Sequence, residues 1–218
     1  MENHISYSSK SKQDFNNLRP EMLAYAPKNP SAVLDVGYGI GSFAEHFKNQ
    51  DPNTEVWGIE FVDSEAQAAK ERLDTVFSGA CENHIVNLPD NIFDVIYFND
   101  VLEHLVDPYT VSEKIRLKLK EGGVVISSIP NVRYFKSFKK VLFQKDWKYA
   151  SHGTMDRAHL LFFTKKSIDR MYREAGYKVV KNEGINRTKS IAPWFFNIPL
   201  LFTQMDVFYL QCATVARK

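Results

Sequence analysis

Three glycines at alternate positions, Gly37, Gly39 and Gly41, follow the short run Ala32-Val33-Leu34-Asp35-Val36. Only Asp35 interrupts the apolar character of that run, which suits a strand buried on both faces of a parallel sheet. Ser42-Phe43-Ala44-Glu45-His46-Phe47 then reads as a helix, with Phe43 and Phe47 on one face. A strand, a glycine turn and a helix N-terminus let a ligand press against bare backbone. Glu60 closes a second strand-like run, Glu55-Val56-Trp57-Gly58-Ile59-Glu60, nineteen residues past Gly41. An acid at that distance is placed to accept two hydrogen bonds from ribose hydroxyls. A dinucleotide site would have Gly or Ala where Ser42 stands, so the glycines fall one position early for it. A tight turn in some other α/β protein, with Glu60 solvated at a strand end, is the plain alternative.

The elements that must position these residues alternate. Asp63 is expected to cap a helix from Ser64 to about Leu73, and Val76-Phe77 to form a short third strand. Phe93 to Phe98 is a strong fourth strand. Asp107-Pro108 opens a helix whose buried stripe is Val111, Ile115 and Leu119, and Glu121-Gly122-Gly123 is expected to stop it. Val124 to Ile129 is the fifth strand, and Val207 to Val215 reads as a final one. This alternation predicts right-handed crossovers and a parallel sheet. Ligands of such sheets sit beyond the carboxyl ends of the strands. Gly37–Gly41, Glu60, Gly79–Cys81, Asn99–His104 and Pro130–Asn131 all fall at such ends, so separated segments converge on one crevice.

Length and composition bound the rest. The 218 residues fit one large domain, and 28 basic residues against 26 acidic ones imply no polyelectrolyte partner. Cys81 and Cys212 form neither a disulfide framework nor a metal spacing, which fits a reducing, cytoplasmic setting. No signal-peptide pattern opens the chain, and no apolar run is long enough to span a membrane. Residues 1–12 read as flexible, and Phe15, Leu18, Met22 and Tyr25 recur at helical spacing in a cap over residues 1–30 that Pro20 kinks or divides.

Four motifs together carry a resemblance: V-L-D-V-G-Y-G-I-G, the acid of V-W-G-I-E, F-D-V-I-Y-F-N-D-V-L-E-H-L and L-K-E-G-G-V-V-I-S-S-I-P-N. In this order they resemble the class I S-adenosylmethionine-dependent methyltransferases. The similarity is greatest to the ubiquinone-biosynthesis-type and glycan-cluster group, whose H-x-x-F-F-T and A-G-F-like signatures resemble A-H-L-L-F-F-T and R-E-A-G-Y here. The resemblance implies a Rossmann-like, doubly wound α/β fold: a mostly parallel seven-stranded sheet with an antiparallel last strand and a helical lid inserted after strand 5. It also implies S-adenosyl-L-methionine as cofactor. Gly37, Tyr38, Gly39 and Gly41 would lie against its methionine portion, Asp35 would hold the loop and reach the amino group, and Glu60 would take the ribose. Phe61, Ala80 and Cys81 would flank the adenine, and Asn99, Asp100 and Val101 would line the side nearest the sulfur. Tyr38 stands where the family often has Cys or Ser, and Ala80 where many members have an Asp for the adenine amino group, so Glu82 or a backbone carbonyl must serve instead.

A hydroxyl acceptor must lose a proton. His104 is the expected general base, with His159 the second candidate and Glu103 orienting either. A structural hydrogen bond from His104 is the competing reading. The spacing does not resemble a catechol-type metal site, so no metal is expected. Two segments, 131–160 and 188–204, are expected to form the acceptor lid. Asn131 to Ala150 holds six basic residues, six aromatics and the single acid Asp146, which suits an anionic acceptor, such as a nucleotide- or lipid-linked sugar, or an anionic membrane surface, while single-stranded nucleic acid, held by stacking and charge, is the less expected partner. A helix that buries aromatics and solvates lysines would look the same. Ile191 to Phe202 is very apolar with two prolines, and reads as neither a good helix nor a central strand. The expected activity is O-methylation of a small-molecule, glycan or lipid-linked acceptor by a cytoplasmic or membrane-peripheral enzyme. An RNA or protein methyltransferase is the rival, disfavoured because Asn99-Asp100-Val101-Leu102 replaces an N-P-P-Y-type motif. A non-catalytic cofactor-binding subunit is the alternative from another class.

Overall fold

The computed structural model describes residues 19–218. Seven strands form one sheet in the order β3-β2-β1-β4-β5-β7-β6. They are β1 (Ala32–Val36), β2 (Glu55–Glu60), β3 (Thr75–Ser78), β4 (Phe93–Asn99), β5 (Leu119–Pro130), β6 (Lys178–Arg187) and β7 (Tyr209–Arg217). The first five run parallel, and β7 lies antiparallel between β5 and β6. The mostly parallel doubly wound sheet with an antiparallel last strand is therefore present. Every residue of β1 is buried, Asp35 included. That is the consequence of covering both faces of a central parallel strand.

Helices cover both faces. On one side α1 (Pro20–Leu23), α2 (Ser42–Gln50) and α3 (Asp63–Ala69) bury Met22, Phe43, Phe47 and Ala69 against Val33, Val95 and Tyr97. On the other, α4 (Cys81–Ile85), α5 (Pro108–Lys118) and α7 (Lys165–Glu174) bury Ile85, Ile115, Met171 and Tyr172 against Leu34, Ile96 and Val125. The insertion after β5 contains α6 (Phe135–Lys139) and a π-helical turn over Lys140–Gln144. A further helix, α8 (Ala192–Asn197), lies between β6 and β7.

Several expectations shift. Asp63 is the first residue of α3, not its cap, and its carboxylate accepts a hydrogen bond from Ser78 Oγ at 2.9 Å, which ties α3 to the end of β3. The helix also ends at Ala69, short of Leu73. Gly122 and Gly123 do not end α5, which stops at Lys118. They lie inside β5, where the register jumps from Phe93 opposite Leu119 to Val95 opposite Val124. Gly122, at φ +79°, serves that bulge. Strand β6 was not anticipated, because its largely solvent-facing edge carries Lys178, Lys181, Asn182 and Glu183 and so lacks an apolar signal. The segment from Ile191 does contain a helix, since Pro193 falls in its first turn, where proline is tolerated. The expected helical spacing at Phe15 and Leu18 and the expected flexibility of residues 1–12 fall on residues outside those described. Pro20 opens a short helix after Arg19, whose φ of +43° breaks the chain direction there.

The glycine turn at the end of β1 is fastened to β2 by shape. Tyr38 packs its ring over Gly58, and a Cβ on Gly58 would collide with that ring and with Leu73. Gly58→Ala is expected to destabilise the protein by about 1–3 kcal/mol, because a buried ring must move and the loop carrying it must follow. Urea unfolding checks this, and an unchanged midpoint would contradict the packing.

Candidate functional site

A cavity of about 800 Å³ opens beyond the carboxyl ends of β1, β2 and β4. Its walls include Asp35, Gly37, Tyr38, Gly39, Glu60 and Phe61. They continue through Ala80 and Cys81 to Asn99, Asp100, Val101, Glu103, His104 and His159. Every predicted site residue except Gly41 lines this one space, and Gly41 caps the N-terminus of α2 immediately after the loop.

The loop needs its glycines. Gly37, Gly39 and Gly41 have φ of +74°, +59° and +83°, in the region that favours glycine. A Cβ on Gly37 would also strike Val101, so the turn and the segment after β4 are in direct contact. Glu60 braces the turn from the next strand. Its Oε2 accepts from Gly39 N at 2.8 Å and its Oε1 from Val62 N at 2.9 Å. Burial pushes the Glu60 carboxyl above the usual range, and these backbone bonds oppose the shift.

Asp35 is the outlier. It is 1 % exposed, and neither carboxylate oxygen has a hydrogen-bond partner. Burial, reinforced by the charge of Glu60, holds its carboxyl well above the ordinary value, with Arg19 pulling the other way. Asn99 Oδ1, also on the cavity wall, is likewise buried without a partner. Buried polar atoms normally find partners, so this group has the character of a site shaped for a polar, cationic ligand.

Asp100 is committed differently. At φ +57° it turns its carboxylate onto Arg19, Ser128 and Gln211. On the adenine-side wall, Ala80 precedes α4, and Cys81 Sγ donates to Glu82 Oε2 at 3.4 Å. Burial, then Glu82, pushes the Cys81 thiol up. Phe61 follows Glu60 at the rim of the cavity and is partly exposed.

At the other end stand Glu103, His104 and His159, whose ligand-type atoms lie within 4.8 Å of one another. Leu160 N and Leu161 N donate to the Glu103 carbonyl at 2.9 and 3.1 Å, which staples the 156–161 loop onto the turn after β4. His104 Nδ1 donates to the Ala158 carbonyl at 3.0 Å. A carbonyl only accepts, so in the neutral ring the proton sits on Nδ1, and Nε2 is the nitrogen able to take one up. The structural hydrogen bond and the basic nitrogen thus coexist on one ring. The two imidazoles are 4.8 Å apart, and His159 Nε2 lies 3.9 Å from Glu103 Oε1. Among the described residues, no other group of His, Cys, Asp or Glu converges in this way.

Some of the site was not foreseen. Arg19 reaches it from 81 residues before Asp100, and Gln211 reaches it from β7. Neither belongs to a motif. Ser151, His152, Thr154 and Arg157 form the far wall. These four fall within the expected 131–160 lid, although no residue among them was singled out.

Comparison with known proteins agrees with this geometry. The methyltransferase domain family matches residues 9–182. An uncharacterised methyltransferase of Schizosaccharomyces pombe is 28% identical over 149 residues, covering 61% of this chain and 53% of that protein. A ubiquinone biosynthesis O-methyltransferase of Hydrogenovibrio crunogenus is 26% identical over 161 residues, covering 71% of this chain and 65% of that protein. The chain thus spans between half and two thirds of the length of these relatives. The structure of an S-adenosylmethionine-dependent methyltransferase from Archaeoglobus fulgidus superposes with a TM-score of 0.69 at 16% identity, over 97% of this chain and 96% of that one.

The buried Asp35 leads to a stability prediction for the protein without ligand. A carboxyl whose folded-state pKa is raised stabilises the fold while protonated and loses that contribution as pH rises through the raised value. Wild-type stability is therefore expected to fall, relative to Asp35→Asn, as pH rises above about 4. The variant's advantage should level off once Asp35 is ionised. Urea midpoints measured across that range check it. Parallel pH profiles for the two proteins would contradict it.

Proposed function

The chain belongs to the methyltransferase domain family, and from the site we propose that it is an S-adenosylmethionine-dependent O-methyltransferase. Its acceptor is a small molecule, glycan or lipid-linked compound. The observation that carries the cofactor assignment is the pair of buried Asp35 oxygens without partners beside a loop of positive-φ glycines. A carboxylate so placed suits an amino-acid ammonium group, and such a loop suits close backbone approach. Glu60 keeps lone pairs beyond those used by Gly39 and Val62, and these suit ribose hydroxyls. Phe61, Ala80 and Cys81 supply the surface for the base, with Glu82 beside them in place of the family's Asp. Asn99 and Val101 line the reacting end. Asp100 acts by holding Arg19 and the segment after β4. When bound, the cofactor supplies a methyl group already activated on a positively charged sulfur.

What remains for the protein is alignment, exclusion of water and removal of one proton. His104 takes that proton on Nε2, while Nδ1 stays anchored to Ala158. The positive charge that develops on its ring is shared with neighbouring His159, which Glu103 steadies. The family relative named for ubiquinone biosynthesis is an O-methyltransferase by name, which supports oxygen as the acceptor atom. The trio works here without a metal.

The test is transfer of isotope-labelled methyl from S-adenosylmethionine into fractionated cell extract. Label is expected in the small-molecule and lipid fraction and to survive a chelator. His104→Ala should cut the rate by at least about a hundredfold with cofactor affinity unchanged. Label confined to RNA or protein would overturn the acceptor class. Loss of activity on chelation, restored by a divalent cation, would reassign Glu103, His104 and His159 as metal ligands.

A further inference from the structure

Twelve of the nineteen exposed large apolar side chains among the described residues fall in two short stretches, 141–149 and 191–202. Leu201 is 83 % exposed, Phe195 65 % and Phe143 64 %. The stretches are far apart in sequence but their elements abut. Phe135 and Phe138 of α6 meet Phe196 of α8 with ring centroids 5.7 and 5.6 Å apart. Arg133 pairs with Asp206 at 2.5 Å across the same junction. The two lid segments therefore present one apolar surface, far denser than the scattered exposed residues of an ordinary face.

Its charge is one-sided. Lys136, Lys139 and Lys140 just before the first stretch and Lys145 and Lys148 within it are exposed, with Asp146 the only acid over 136–149, and Lys189 adds a cation just before the second. Exposed apolar side chains ringed by lysines match the interfacial layer of a bilayer carrying anionic lipid, where the side chains enter the headgroup boundary and the lysines meet phosphate. A second copy of this chain would bring the same cations together. No described helix is long and apolar enough to cross a membrane, so contact is confined to the surface. The strip also leads to the site: Trp147 packs on Phe162 at 4.9 Å, and Phe162 lies 6.2 Å from His159.

We propose that the α6–π-turn and α8 segments dock the protein on the surface of an anionic lipid bilayer, with the mouth of the cavity beside the lipid. This rests on the proposed function for its purpose, since an acceptor with an apolar part would then reach His104 from the bilayer. The docking itself is independent of catalysis.

Co-sedimentation with vesicles of phosphatidylcholine alone, or of phosphatidylcholine mixed with phosphatidylglycerol, tests it. Wild-type protein should bind the mixed vesicles, more weakly as salt rises. Phe195→Glu with Leu201→Glu should lower binding at least tenfold. Lys139→Glu with Lys140→Glu should remove the preference for phosphatidylglycerol. Both double variants should keep wild-type affinity for S-adenosylhomocysteine by calorimetry. Absence of wild-type binding to either vesicle would overturn the proposal. So would a wild-type dimer that binds no vesicle and that Phe195→Glu with Leu201→Glu dissociates, since the face would then belong to a second copy. Failure to bind S-adenosylhomocysteine in wild-type protein that still sediments with vesicles would sink the methyltransferase reading and leave the docking intact.

Discussion

An uncompensated carboxyl at the centre of the sheet is the constraint on which this molecule turns. Asp35 sits in a strand whose every neighbour is buried, and neither of its oxygens has a hydrogen-bond partner. Such a residue costs stability in the free protein unless it holds its proton. Much of the surrounding structure keeps the site in shape despite that cost. Glu60 holds Gly39 from β2, Tyr38 packs over Gly58, and Val101 fills the space a side chain on Gly37 would need. Desolvation concentrated beside one turn, and offset by packing on each side, is what a pre-shaped binding site requires. On the proposed reading, the methionine ammonium group is the missing counter-charge.

The opposite end of the cavity is built by another principle. Glu103, His104 and His159 come from two loops that the sheet does not directly order. They are brought together by backbone bonds from Leu160 and Leu161 to Glu103 and by the bond from His104 to Ala158. The histidine that anchors the 156–161 loop is therefore the one offered as base. On the proposed reading, the imidazole that takes the proton also holds the 156–161 loop in place. The same lid continues into the apolar, lysine-rimmed surface of α6 and α8, so the acceptor side and the outer face of the lid are parts of one structure.

Strong local signals made part of this visible in the amino-acid sequence. The apolar run with alternating glycines can form little other than strand and turn, and Glu60 and Asn99–His104 fall at strand ends by counting alone. Long-range contacts gave no such signal. Arg19 and Gln211 reach Asp100 from distant parts of the chain, and no period announces either. Strand β6 was invisible because an edge strand with a solvated face need not be apolar. Gly122-Gly123 looked like a helix stop, and proved to be a bulge because Leu119 already pairs with Phe93. The apolar Ile191–Phe202 stretch hid a helix, since Pro193 reads as a breaker unless its place in the first turn is known. The meeting of His104 with His159 follows from the tertiary bonds that hold the 156–161 loop against Glu103 and His104, which local pattern does not encode.

On the proposed function, Asp35 awaits the ammonium group of S-adenosylmethionine or its product. Carbon-13 NMR of the Asp35 carboxyl, assigned with Asp35→Asn and titrated without and with saturating S-adenosylhomocysteine, tests it most directly. An apparent pKa above the usual carboxylate range is expected in the free protein, with a fall on binding as the ammonium group stabilises the ionised form. A carboxyl that titrates normally in the free protein, or whose pKa does not move when the product binds, would contradict it.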